Sequence, residues 1–125
     1  MSIISVDTRA RKPIYEQLVD NITELICRGI LSPDEQLPAV RALASELAIN
    51  PNTIAKSYTE LERRGLIYTV HGRGSFVTDS ADAISEKKRQ NALSELEVSI
   101  KAAFAAGIEK EQILALLANY GGDQS

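Results

Sequence analysis

The residues with the greatest chemical reach in this 125-residue chain are amides and cations gathered in short stretches. Asn52, Lys56, Thr59 and Arg63 recur at intervals of four, three and four. On a helix turning about 100° per residue they share one face, opposite Ile54, Tyr58 and Leu61. An Asn amide donates and accepts at once, which suits a bidentate pair with an adenine edge, while Lys56 and Arg63 can donate to guanine or phosphate. Arg73 stands between two glycines in His71-Gly72-Arg73-Gly74. Glycine lets a backbone approach a surface closely, and an Arg on such a tip matches the negative potential of a minor groove. Each feature has a plain alternative. Polar outer faces are usual on amphipathic helices, and an Arg in a turn can simply be solvated. His71 reads as a contact or turn residue rather than an acid–base group.

Other chemistry has little material. One His and one Cys leave almost no material for a zinc cluster or a Cys/His catalytic pair. Gly72-Arg73-Gly74 is too short for a dinucleotide fingerprint or a phosphate loop. No paired-carboxylate pocket can be placed, so the chain is not read as an enzyme and calls for no cofactor or metal. At 44% hydrophobic and 25% charged the composition is that of an ordinary globular protein. No apolar run approaches the ~18 residues of a membrane span, and the start lacks the pattern of a secretory signal. A single cysteine, Cys27, allows no internal disulfide and reads as a small core residue, with a redox switch as the alternative; the chain is read as cytoplasmic. The net charge of −3 argues against a nonspecific nucleic-acid coater, but it is uneven. Residues 1–78 balance nine basic against nine acidic side chains, and residues 79–125 carry five against eight. From Gln36 to Thr78 there are five basic and three acidic, so a local basic face survives.

The elements that must carry these residues follow in order. After a short extended leader, Pro13 opens a helix over about 13–29, with Leu18, Ile22, Leu25 and Ile26 at helical spacing. Ser32-Pro33-Asp34 is a turn. Pro38 precedes a helix over about 39–47, built on Val40, Leu43, Ala44 and Leu47. Asn50 as N-cap and Pro51 in the first turn start a third helix that runs to about Arg64 and stops at Gly65. Leu66–Val70 and Ser75–Thr78 are β-prone runs around the Gly-rich tip, which reads as a hairpin. Asp79–Ala83 is a polar joint. Leu93, Leu96, Ile100, Ala103 and Phe104 then form a helical stripe up to Gly107. A last helix over about 109–119 presents Ile113, Leu116, Leu117 and Tyr120, with Glu109 a poor N-cap. The fold class is therefore mostly α with a small β-hairpin: a winged helix-turn-helix over 1–78, followed by a two-helix tail over 79–125.

Several motifs occur together and in order: Pro13-Ile14-Tyr15-Glu16-Gln17-Leu18, Leu37-Pro38-Ala39-Val40-Arg41, the run from Asn50 to Ile67, and His71-Gly72-Arg73-Gly74-Ser75-Phe76-Val77. Through them residues 13–77 resemble the GntR family of bacterial transcription regulators, in particular its small YtrA-like branch. The resemblance implies that Arg41, Asn52, Thr53 and Lys56 contact DNA, together with His71, Gly72 and Arg73 on the wing. Asn50 and Arg63 are counted with them. Arg9, Arg11 and Lys12 either add phosphate contacts or form a flexible basic leader.

The chain departs from the family pattern in places. Ala39 stands where many members have a capping Ser, which removes ~1 kcal/mol of N-cap. Pro33-Asp34-Glu35 replaces a common Pro-Gly-Asp, and Pro51 or Asn52 stands where other branches carry Arg. Operators of those branches should not be transferred. The tail is too short for the large effector domains of other branches. On the resemblance its helices pair with a second copy, with Leu93, Leu96, Ile100, Phe104, Ile113, Leu116 and Leu117 at the interface; the alternative is that they fold back on their own winged helix. The expected function is that of a homodimeric regulator, a repressor, binding an inverted-repeat operator in double-stranded DNA in the bacterial cytoplasm. The alternative is a winged helix used for protein–protein contact. A small-molecule effector is left open.

Overall fold

Helix α1 (Ile14–Cys27) begins at Pro13, whose fixed φ of −56° suits a helix start. It buries Leu18, Val19, Ile22, Leu25 and Ile26. The computed structural model describes residues 3–120. It continues with α2 (Val40–Leu47), α3 (Pro51–Arg63), strands β1 (Ile67–Val70) and β2 (Gly74–Val77), α4 (Ala81–Ala105) and α5 (Lys110–Leu117). The element order is that of a winged helix-turn-helix with helices after it.

The chain divides into two units between Glu86 and Lys87. In the first, α1 and α2 pack on α3, and Leu18, Ile22, Leu43, Ile54, Leu61 and Val77 are sealed from solvent. Ser57 is the buried polar residue on α3; its hydroxyl donates to the Thr53 carbonyl at 2.9 Å and lies 3.3 Å from the Tyr15 carbonyl oxygen. A small side chain there lets α1 come close to α3. Asn50 caps α3, accepting from the Asn52 N–H at 2.8 Å. Ala39 heads α2 without a side-chain cap, since a methyl group has nothing to accept with.

The joint between α2 and α3 turns on Ala48, in the left-handed region at φ 57°. Asp34 is left-handed too, at φ 65°. Its carboxylate accepts from the Tyr68 hydroxyl at 2.9 Å, which offsets part of that backbone cost.

Three features differ from the sequence expectations. The leader is tied down: Ile4 is 2% exposed, the Ser5 N–H donates to Asn21, and the Gln17 amide bonds to Asp7 and Lys12. A third segment meets the hairpin, because Gln36 forms a single antiparallel bridge with Phe76 of β2. The expected polar joint at Asp79–Ala83 is already helical from Ala81. Ala81 and Ser85 are buried, and the Ser85 hydroxyl donates to the Ile26 carbonyl at 3.3 Å. The first compact unit runs on to Glu86.

The second unit holds the remainder of α4 and α5. None of its described residues is buried; Ile100, Ala103 and Ile113 are half-buried. Leu96, Ile100, Ile113, Leu116, Leu117 and Tyr120 line an apolar hollow of about 260 Å³. At the start of α5 the side-chain oxygen of Gln112 accepts from the Glu109 N–H at 3.2 Å, so this helix start is better supported than Glu109 alone suggested.

Candidate nucleic-acid interface

The expected site residues lie on three elements of the first unit. Arg41 is the second residue of α2 and is exposed. Asn52, Lys56 and Arg63 are exposed along α3, and Thr53 is half-buried. His71, Gly72 and Arg73 form the exposed tip between β1 and β2.

The tip has a defined shape. The Arg73 N–H donates to the Val70 carbonyl at 2.9 Å, closing a four-residue turn. Gly72, third in that turn, has φ +79°, the conformation that a type II turn demands at this position and that glycine adopts at least cost. Tyr68 and Phe76 stack behind the tip with ring centroids 5.5 Å apart.

The cations are not equivalent. Among the described residues, no hydrogen bond or ion pair engages the Arg41 or Arg73 guanidinium. Arg63 faces the outer side of α3 as expected, but its guanidinium grips Glu60 through two hydrogen bonds of 2.9 and 2.5 Å. Arg64 donates to the same carboxylate at 2.7 Å. The hydrogen bonds from Arg63 and Arg64 hold the Glu60 carboxyl down at about 2, against an ordinary 4.5. Lys12 is paired with Asp20, and Arg28 with Glu24. Lys56 sits over the Tyr15 ring, its Nζ 4.4 Å from the centroid, so an α1 aromatic holds the central cation of α3 by a cation–π contact.

Asn50 and Arg63 are also engaged within the fold. The Asn50 oxygen serves as the helix cap, which leaves its amide nitrogen for any outside partner. Arg63 shares its charge with Glu60; the spacing of Glu60, Arg63 and Arg64 was a readable signal for this pairing. Tyr15 was missed as a partner of Lys56 because the two are 41 positions apart in the chain and meet only when α1 packs on α3.

A family profile described as "Bacterial regulatory proteins, gntR family" matches residues 14–77. The HTH-type transcriptional repressor YtrA of Bacillus subtilis (strain 168) is 40% identical over 112 residues, covering 89% of this chain and 86% of that protein. A transcriptional regulator from Oenococcus oeni, solved by crystallography, superposes with a TM-score of 0.71 at 33% identity over 91% of this chain and 95% of that one. The DNA-binding domain of AraR, solved in complex with the operator ORE1, superposes with a TM-score of 0.52 at 30% identity over 58% of this chain and 89% of that one. With the profile lying on α1 to β2 and relatives alike over most of its length, the chain belongs to the GntR family of bacterial regulatory proteins and resembles its YtrA-like branch.

Proposed function

We propose that this DNA-binding transcriptional regulator is a repressor that acts in the bacterial cytoplasm as a homodimer on an inverted-repeat operator. Helix α3 enters the major groove, where Asn52, Thr53 and Lys56 read base edges. Arg41 and the wing residues His71, Gly72 and Arg73 engage the flanking backbone and minor groove. Asn50 and Arg63 play the lesser part, one through its free amide nitrogen and the other at a phosphate. Residues 1–78 are the DNA-binding region, and residues 79–125 the dimerisation region.

The observation that carries this reading is the division among the cations. Arg41 and Arg73 are exposed without a partner among the described residues, while Arg63 and Arg64 both pair with the single carboxylate of Glu60. An exposed cation with no internal counter-charge is ready to displace counterions from a phosphate backbone. The B. subtilis relative's name, a transcriptional repressor, and the AraR–operator complex support the same direction. The dimer rests on the tail: Leu93, Leu96, Phe104, Leu116 and Leu117 are each 50–63% exposed, and Ile100 and Ile113 line the hollow beside them. Large apolar patches of this kind mark association surfaces. Two copies related by a twofold axis present two α3 helices to the two halves of a palindrome.

The test is retention of sheared source-genome DNA by the purified protein, with the retained fragments sequenced. Enrichment of a few fragments sharing an inverted repeat is expected. Arg41→Ala is expected to weaken binding to the most enriched fragment by about tenfold or more while the dimer persists in sedimentation. Flat retention that vanishes with modest added salt would replace this reading with that of a protein-contact module.

A further inference from the structure

The wing tip is held from outside the hairpin. Gln36 lies in the extended stretch between α1 and α2, and its Nε2 donates to the Arg73 carbonyl at 2.8 Å across 37 positions of sequence. The backbone around it keeps step with β2. The Leu37 N–H donates to the Ser75 carbonyl at 2.8 Å, the Val77 N–H to the Glu35 carbonyl at 2.8 Å, and the Asp34 N–H to the Val77 carbonyl at 2.9 Å. Gly74 has φ +126°, and a Cβ added there would lie 2.8 Å from the Gln36 Nε2. The glycine after Arg73 therefore clears the space in which the Gln36 amide sits.

The same stretch continues to the other reading elements. Leu37 is buried, and the Pro38 carbonyl accepts from the Tyr58 hydroxyl of α3 at 2.7 Å. Burial pushes the Tyr58 phenol well above its ordinary pKa, so it remains a neutral donor. Two residues on, α2 starts, and it carries Arg41. One run of six residues, Gln36 to Arg41, is thus hydrogen-bonded to the wing tip at its first residue, to α3 at its third, and bears a free cation at its last.

We propose that Gln36 is a positioning residue for DNA binding: its amide fixes the backbone of Arg73 and so sets where the wing cation stands relative to Arg41 and α3. This rests on the reading that Arg73 contacts DNA. Without the amide bond the Arg73 carbonyl loses its tie to the stretch before α2, and Arg73 must be ordered further when DNA binds, which costs affinity. No direct contact of Gln36 with DNA is involved.

The experiment is a double-mutant cycle on the duplex fragment that the wild-type protein enriches most, followed by fluorescence anisotropy at fixed salt. Gln36→Met keeps the length of the side chain and removes the donor. It is expected to weaken binding about fivefold, the scale of one hydrogen bond. Arg73→Ala is expected to weaken it by about tenfold or more. In the double variant the loss should match Arg73→Ala alone, because a residue acting through Arg73 has nothing left to position. The thermal midpoint of Gln36→Met should stay near wild type, a readout on which a merely structural role would show instead. If Arg73→Ala binds as wild type, the wing reading itself fails. If Arg73→Ala weakens binding but Gln36→Met does not, or the two losses simply add, the proposal for Gln36 is overturned while the wing reading stands.

Discussion

The two units of this chain use apolar residues in opposite ways. In the winged-helix unit Leu18, Ile22, Leu43, Ile54 and Leu61 are all 0% exposed. In the tail Leu93 is 61% exposed, Leu116 59% and Leu117 63%. Both sets recur at helical spacing, and periodicity alone treats them alike. The difference is one of closure. The first unit has three helices and a hairpin to enclose its side chains, whereas one long and one short helix cannot surround a core of their own. Exposed leucines at this density point to a surface that another molecule covers.

The largest effect that separates the units is expected from truncating one buried and one exposed leucine. Leu61→Ala should cost about 2–5 kcal/mol, since it removes packed methyl groups and leaves a cavity, and urea unfolding would measure it. Leu116→Asp should change the unfolding of the winged helix by less than about 0.5 kcal/mol while dissociating the proposed dimer in sedimentation velocity. A Leu116→Asp chain that stays dimeric, or that no longer folds, would break the contrast.

A smaller effect sharpens it from inside the first unit. Ala48 closes α2 in the left-handed region at φ 57°, a conformation that costs a residue with a Cβ roughly 1 kcal/mol. Ala48→Gly is therefore expected to raise stability by up to about 1 kcal/mol, seen as a higher urea midpoint with unchanged slope. A lower midpoint would mean that the methyl contributes packing that the turn geometry does not suggest.

The smallest expected effect concerns charge. The Glu60 carboxyl is depressed to about 2 by Arg63 and Arg64. A depressed folded pKa contributes stability that is fully present above the ordinary value of 4.5 and is lost as pH falls through about 2. The stability gap between wild type and Glu60→Gln should accordingly narrow as the pH is lowered from about 5 to about 3, and it should stay modest because both arginines face solvent. A gap that widens toward acid would reverse the sign of the linkage and remove the Arg–Glu–Arg cluster as its cause.

Much of the fold was legible because its signals are local. Pro13, Asn50 with Pro51, and Gly65 mark helix ends by backbone rules that act within a few residues. The hairpin follows from β-prone runs around a Gly-rich tip. What escaped is equally specific. The Gln36 bridge is a single residue pair between Pro33 and Pro38, too short to leave an alternation. Ala81 and Ser85 are buried yet carry almost no apolar signal, so a helix start read as a polar joint. In the candidate site, the outer face of α3 was legible as a stripe of Asn52, Lys56, Thr59 and Arg63. Which of its cations remained unengaged was not.

The sequence by itself determined helices α1 to α3, the Asn50 cap, the glycine-dependent wing tip and the family, since each depends on neighbours three or four positions away or on motifs in order. Only the tertiary structure decided that Tyr15 lies under Lys56, that Gln36 holds the carbonyl of Arg73, and that Arg41 and Arg73 keep their charges unpaired among the described residues. The physical reason is distance along the chain. A hydrogen bond or cation–π contact acts over a few ångströms, and residues tens of positions apart come within that range only after the core has packed.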